Sequence, residues 1–210
     1  MSKSLSSLSV GEFLQQAASD APVPGGGGIA ALAAALGAAM ASMAANFTLG
    51  RPQFAQHEEA MRRVLAELAS LGEAFRQAID EDARAFAGIS EAYRLPKDTE
   101  SAKASRRSAI AGALTDAMRV PLGVLRDCRR AAELLPGLAG AANPKLLSDV
   151  EVAAIMLEAA ARAAWVNVRV NSRQLGGDAA AGMESEAGEL LASVGELARK
   201  TAAKLKRNVP

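Results

Sequence analysis

Asp82 is the residue of this 210-residue chain most in need of a chemical account. At about 100° per residue, His57, Met61, Val64, Leu68, Leu71, Phe75, Ile79, Asp82, Phe86, Ile89 and Tyr93 fall along one line of a helix. Asp82 therefore interrupts an apolar stripe, whereas Asp80 and Glu81 lie off it and read as solvent charges. Burying a lone carboxylate costs on the order of several kcal/mol, so Asp82 must be paired, hydrogen-bonded, protonated or open to a cavity. Two readings stand: a partly buried ion pair or a hydrogen bond to a neighbouring helix end, and a working acid–base group. His57, near the end of the stripe, reads as a packing residue, although its side chain is the one that ordinarily titrates near neutrality.

A second polar interruption repeats the theme. Asp149, Val152, Met156, Ala160, Ala163, Asn167, Val170 and Gln174 share a helical face, with Asn171 one turn beyond Asn167. Asp149 in a first turn also favours the helix dipole. An acid and amides on one mostly apolar face suggest a polar pocket between helices. The glycines at 25–28 end a loop and open a helix, where free amides favour an anion or carbonyl and a flat ligand can reach the backbone. Neither a phosphate-binding Gly-Lys-Ser/Thr nor a strand accompanies them, which excludes the common nucleotide fingerprints.

Composition narrows the classes further. Lys plus Arg is 24 against 23 Asp plus Glu, and aromatics are 3%, so the basic field and stacking rings of a general nucleic-acid binder are absent. One cysteine, Cys128, and one histidine cannot build a disulfide, an iron–sulfur cluster or the usual zinc site, and no metal ligand set is assigned. Alanine is nearly a quarter of the chain, which points to closely packed helices. The N-terminus lacks the apolar run of a signal peptide. Residues 25–50 carry no charge, but alanine and glycine gain little from lipid, and basic or aromatic anchors are missing. The expectation is a soluble, cytoplasmic protein with no membrane span.

The elements that position these residues follow from caps and breakers. Ser9 and Glu12 form a capping-box pattern for a short helix to about residue 18. A second helix is expected over about 27–48, small-faced all round and buried by other helices. A third runs from about 53 to 94 and stops at Leu95-Pro96. A fourth starts at Asp98 or Thr99 and is kinked or interrupted by Pro121. After a loop at 137–144, Ser148 and Glu151 suggest a second capping box opening a fifth helix to about 174. A sixth covers about 183–206. No segment alternates with period two, and no repeat or linker marks a boundary, so the expected fold is an all-α, single-domain helical bundle over 1–210.

These residues resemble the formiminotransferase-cyclodeaminase family. The resemblance rests on Pro22-Val-Pro-Gly-Gly-Gly-Gly-Ile-Ala-Ala-Leu32, Leu36-Gly-Ala-Ala-Met40, Ala45-Asn-Phe-Thr-Leu-Gly50, Asp82-Ala-Arg-Ala-Phe86 and Ala92-Tyr-Arg-Leu-Pro-Lys97. It continues through Val120-Pro-Leu122, Asn143, Ser148-Asp149 and Asn167-Val-Arg-Val-Asn171, covering roughly residues 8 to 178 in family order. Three departures stand out: Gly28 where the cyclodeaminase branch usually has Ser, Arg51-Pro52-Gln53 in place of a fuller basic cluster, and Ala-Asn-Pro-Lys around Asn143.

The resemblance implies an all-helical homodimer that binds a reduced folate carrying a one-carbon unit. It implies hydration of a methenyl bridge to 10-formyltetrahydrofolate. The alternatives are closure of a formimino group with loss of ammonia, or a folate-binding or scaffold protein without catalysis. The methenyl bridge is an amidinium-like cation whose carbon is already electrophilic, so no cofactor is expected. On this reading Asp82 is the general base, Asp149 a second acid or pterin anchor, and Lys97 an acid or carboxylate contact. Asn46, Asn167 and Asn171 orient the pterin edge or the water. Gly25, Gly26, Gly27 and Gly28 form a pocket wall, Asn143 joins the binding set, and Arg51, Arg106 and Lys97 meet the glutamate tail.

Overall fold

The alanine content is spent on helix–helix contact. The computed structural model describes residues 4–208 and arranges them as six helices with no strand among the described residues. These are α1 (Val10–Ala17), α2 (Gly26–Asn46), α3 (Glu58–Arg94), α4 (Glu100–Ala141), α5 (Leu147–Leu175) and α6 (Gly177–Asn208). Helix α2 lies between α3 and α5, α4 packs against α3, α5 and α6, and α6 closes the side formed by α4 and α5. One core joins them, with Phe75, Met118, Leu125, Leu135, Leu157 and Val168 fully buried. Each such large side chain contributes about 1.5–3 kcal/mol of hydrophobic stabilisation.

Helix α2 presents Ala31, Ala34, Ala38, Ala41 and Ala45 to the core, and their small side chains let the backbones approach. It is long and apolar enough to cross a membrane by length and composition alone. It is not covered all round, contrary to the sequence expectation. Ile29, Leu36, Met43 and Phe47 lie on its outer face, each more than a third exposed.

The capping box at α1 forms as expected: Ser9 Oγ accepts from Glu12 N at 3.2 Å, and the Glu12 carboxylate accepts from Ser9 N at 2.7 Å. Thr99 caps α4, accepting from Ala102 N at 3.1 Å. Other boundaries differ from the sequence reading. Helix α4 runs unbroken through Pro121 and Pro136 because both prolines, with Leu135, Leu138 and Ala139, are buried, and packing outweighs the missing N–H groups. The expected loop at 137–144 shrinks accordingly. The second capping box does not form. A short 3-10 turn at Pro144–Leu146 leads into α5, and Asn143 caps that turn through a 3.1 Å bond from Lys145 N. Helix α6 begins at Gly177, earlier than expected, because Gly176 and Gly177 turn the chain with φ of 68° and 78°.

Candidate functional site

Helix α3 carries Asp82 past the first turn of α2, and there the apolar stripe opens. Met61, Leu68, Leu71, Phe75 and Ile79 are buried, whereas Phe86 and Tyr93 emerge from the core. Asp82 stands at the changeover. Its Oδ2 accepts a 2.9 Å hydrogen bond from Gly28 N. Gly25, the residue capping α2, contributes no side-chain cap of its own, so the carboxylate serves the helix N-terminus. A Cβ built on Gly27 would fall on the Asp82 carboxylate, so the glycine is required for this approach. Burial pushes the Asp82 carboxyl above its ordinary value, and the Gly28 N–H opposes that rise.

Beside the carboxylate is a pocket of about 310 Å³. Gly25 and Gly26 with Pro22 make one wall, Phe86 and Ile89 of α3 a second, and Asn167, Val170, Asn171 and Gln174 of α5 a third, with Ala117 of α4 at the back. Among the described residues lining it, Asp82 alone is ionisable. Asn167 Nδ2 donates to Ala163 O at 2.8 Å, and Asn171 Nδ2 approaches Ala117 O at 3.5 Å. Both contacts orient the amides and leave their Oδ1 atoms as acceptors on residues that line the same pocket as Asp82. The surface accepts hydrogen bonds and carries one negative group, which suits a flat, donor-bearing cation. Among the described residues no group of three or more His, Cys, Asp or Glu side chains is placed to hold a metal.

The chain matches the formiminotransferase-cyclodeaminase profile over residues 9–200. It is 39% identical to a methenyltetrahydrofolate cyclohydrolase of Methylorubrum extorquens over 163 residues, 78% of each chain. The chain belongs to the formiminotransferase-cyclodeaminase family. It is also 36% identical to the mouse formimidoyltransferase-cyclodeaminase, covering 84% of this chain and 32% of that longer protein. A crystal structure of formiminotetrahydrofolate cyclodeaminase from Thermotoga maritima superposes with a TM-score of 0.87 at 27% identity, over 97% of this chain and 98% of that one.

Within the single chain of this family member, the fold brings together Gly25, Gly26, Gly27, Gly28, Asp82, Asn167 and Asn171. It does not bring the other sequence candidates to them. Asp149 is 18 residues before Asn167 on α5, about 27 Å along the axis. Asn46 is at the far end of α2, about 30 Å from Gly26. Arg51 is exposed just beyond it, and Asn143 joins that end through its N–H to Thr48 Oγ1 at 2.9 Å and Nδ2 to Phe47 O at 3.4 Å. Lys97 is exposed in the α3–α4 connection. Arg106 donates to Tyr93 O at 3.0 Å and stacks 5.5 Å from its ring, about 17 Å beyond Asp82 along α3. His57 is half-buried with Gln56 Nε2 3.2 Å from its Nε2.

Phe86, Ile89 and Gln174 line the pocket although the sequence reading placed them on the two stripes without taking them as site residues. Phe86 and Ile89 follow Asp82 by one and two helical turns, and Gln174 continues the spacing of Asn167 and Asn171, so the same periodicity carries the signal. Asp80 needs correction as well. It is no mere solvent charge, because its carboxylate accepts from Leu5 N at 2.7 Å and Ser4 Oγ at 2.6 Å. Burial raises the Asp80 carboxyl, but the bonds from Ser4, Ser6 and Leu5 outweigh it and hold the group below its ordinary value.

Proposed function

We propose that this chain hydrolyses the methenyl bridge of 5,10-methenyltetrahydrofolate to 10-formyltetrahydrofolate, with Asp82 as general base. The observation that carries the reading is a single carboxylate, raised by burial and steadied by Gly28 N–H, in a pocket otherwise lined by amides and apolar groups. Such a site stabilises the amidinium-like cation and takes a proton from the water that adds to its carbon. The carbon–oxygen bond forms, the carbon–nitrogen bond to N5 breaks, and the formyl group stays on N10. Of the two water protons, one ends on the departing nitrogen and the other in solvent. Asn167 and Asn171 orient the pterin edge or the water. The electrophile is already present in the substrate, so the proposal needs no cofactor, and a cytoplasmic location off the membrane is part of the same proposal.

A homodimer is part of the proposal. The exposed stripe of α2 continues onto Val152, Ile155, Val166 and Val170 of α5, a larger apolar face than scattered surface residues make. A two-fold axis near Leu36 runs two copies of α2 antiparallel and sets the Asn46–Arg51 end of one copy beside the glycine end of the other. In that arrangement Arg51 and Asn143 of the second copy serve the substrate's tail and its Asp149 acts as a second acid or pterin anchor, while Lys97 and Arg106 approach the tail from the α3–α4 corner.

Loss of the methenyltetrahydrofolate absorbance, in buffer that keeps spontaneous hydrolysis slow, tests the reaction. Acceleration by the wild-type chain that is absent in Asp82→Asn is the expected result. Ammonia release from formiminotetrahydrofolate with no methenyl hydrolysis would establish the cyclodeaminase reading, which the Thermotoga relative favours. Absence of both would leave a binding protein.

A further inference from the structure

Helix α3 grips the N-terminal segment at two points, with carboxylates two positions apart. Asp80 holds the turn before α1 through Leu5 N at 2.7 Å, and Asp82 holds the start of α2 through Gly28 N at 2.9 Å. Helix α1 lies between these grips and is lightly docked, with Phe13 as its buried residue. Gln16 follows Phe13 by three positions and shares its face. Its Nε2 donates to Val23 O at 2.9 Å, in a part-buried contact across the recess that Gln16, Val23 and Asp80 line together.

Val23 leads directly to Pro24, which is buried, and a Cβ built on Gly28 would sit 3.4 Å from Pro24 Cβ. The position of Val23 is therefore transmitted through the proline ring to the residue whose N–H meets Asp82. We propose that Gln16 is a positioning residue whose side-chain amide fixes the 22–28 loop so that Gly28 N–H meets the Asp82 carboxylate. Gln16 itself is not among the residues lining the pocket beside Asp82 and lines a separate recess instead. The catalytic consequence rests on the reading of Asp82 as general base, but the placement of Gly28 does not.

Few charges complicate the test. The walls that α2, α4 and α5 give the pocket hold no ionisable side chain, and on α3 itself Glu81 and Arg84 lie 4.0 Å from each other while Asp80 faces the N-terminal turn.

The experiment uses Gln16→Met, which keeps the length of the side chain and removes the donor, and Gln16→Glu, which faces Val23 O with an acceptor until it is protonated near pH 4. Gly28 amide exchange and the 13C titration of the Asp82 carboxyl are followed by NMR without ligand. In Gln16→Met the Gly28 amide exchanges about tenfold faster and the Asp82 carboxyl titrates about half to one pH unit higher, as a weakened hydrogen bond to the charged form requires. The acid limb of kcat/KM moves with it. Gln16→Glu behaves alike at neutral pH, where its carboxylate offers Val23 O no donor. Wild-type exchange and titration in Gln16→Met, whatever its melting temperature, would overturn the proposal. A wild-type protein inert toward the methenyl substrate would overturn the reaction and leave these two NMR readouts able to decide on Gln16.

Discussion

Replacing Gly27 by Ala gives the sharpest test of the Asp82 geometry. The added Cβ would lie 2.5 Å from Asp82 Cγ and 2.9 Å from Oδ2, with Oδ1 closer still. Carbon–carbon contact needs about 3.5 Å, so the carboxylate must retreat by about 1 Å. That motion stretches the 2.9 Å bond from Gly28 N beyond hydrogen-bonding range. A 1 Å misplacement of a catalytic group costs about 100-fold in rate, so kcat for methenyl hydrolysis should fall by about two orders of magnitude. Crowding costs about 1–3 kcal/mol, and the better helix propensity of Ala returns up to about 1 kcal/mol. The melting temperature should therefore drop by no more than about 12 °C, leaving a folded, nearly inactive protein. Gly28→Ala is the matched control: its Cβ would stand 3.4 Å from Pro24 and 3.8 Å from Asp82 Oδ2, ordinary contacts that leave the carboxylate in place. The assay is loss of methenyl absorbance alongside thermal melting. Wild-type kcat in Gly27→Ala would refute the argument that Asp82 must stay against the α2 N-terminus to work.

Other consequences can be checked independently. Asp82→Asn should lower turnover by about 100-fold or more. It should also melt higher than wild type at pH 7, because a carboxyl raised in the folded state binds more protons there than in the unfolded chain, so its contribution to stability falls as pH rises through the folded value. The advantage should vanish in melts taken below the ordinary carboxyl value of 3.8. Asn167→Ala removes an oriented acceptor and should raise KM about tenfold with a smaller change in kcat, read from initial rates. Leu36→Glu puts a charge at the centre of the exposed α2 stripe. It should halve the mass measured by light scattering and reduce activity with it, while helix content by circular dichroism stays unchanged.

Much of this protein was legible along single helices. The α3 stripe identified Asp82 as an interruption, the α5 spacing aligned Asn167 with Asn171, and the Ser9–Glu12 box placed the start of α1. Each of these depends on the fixed rise and turn of one helix, which sequence spacing reports directly. Where helices end was less readable: Pro121 and Pro136 carry the local signal of a break, yet α4 continues because burial in the core overrides it. Which helix ends meet was beyond spacing altogether. Asp82 and Gly28 are 54 positions apart, and only the crossing of α2 and α3 makes them partners. The same packing sends Asn46 and Asp149 to the end of the bundle opposite Asn167, although sequence placed all of them in one candidate set. Side-chain type and periodicity determined what chemistry the chain can offer. Tertiary structure decided which groups share a site, because close packing of six rigid helices, rather than any local preference, sets distances between residues far apart in sequence.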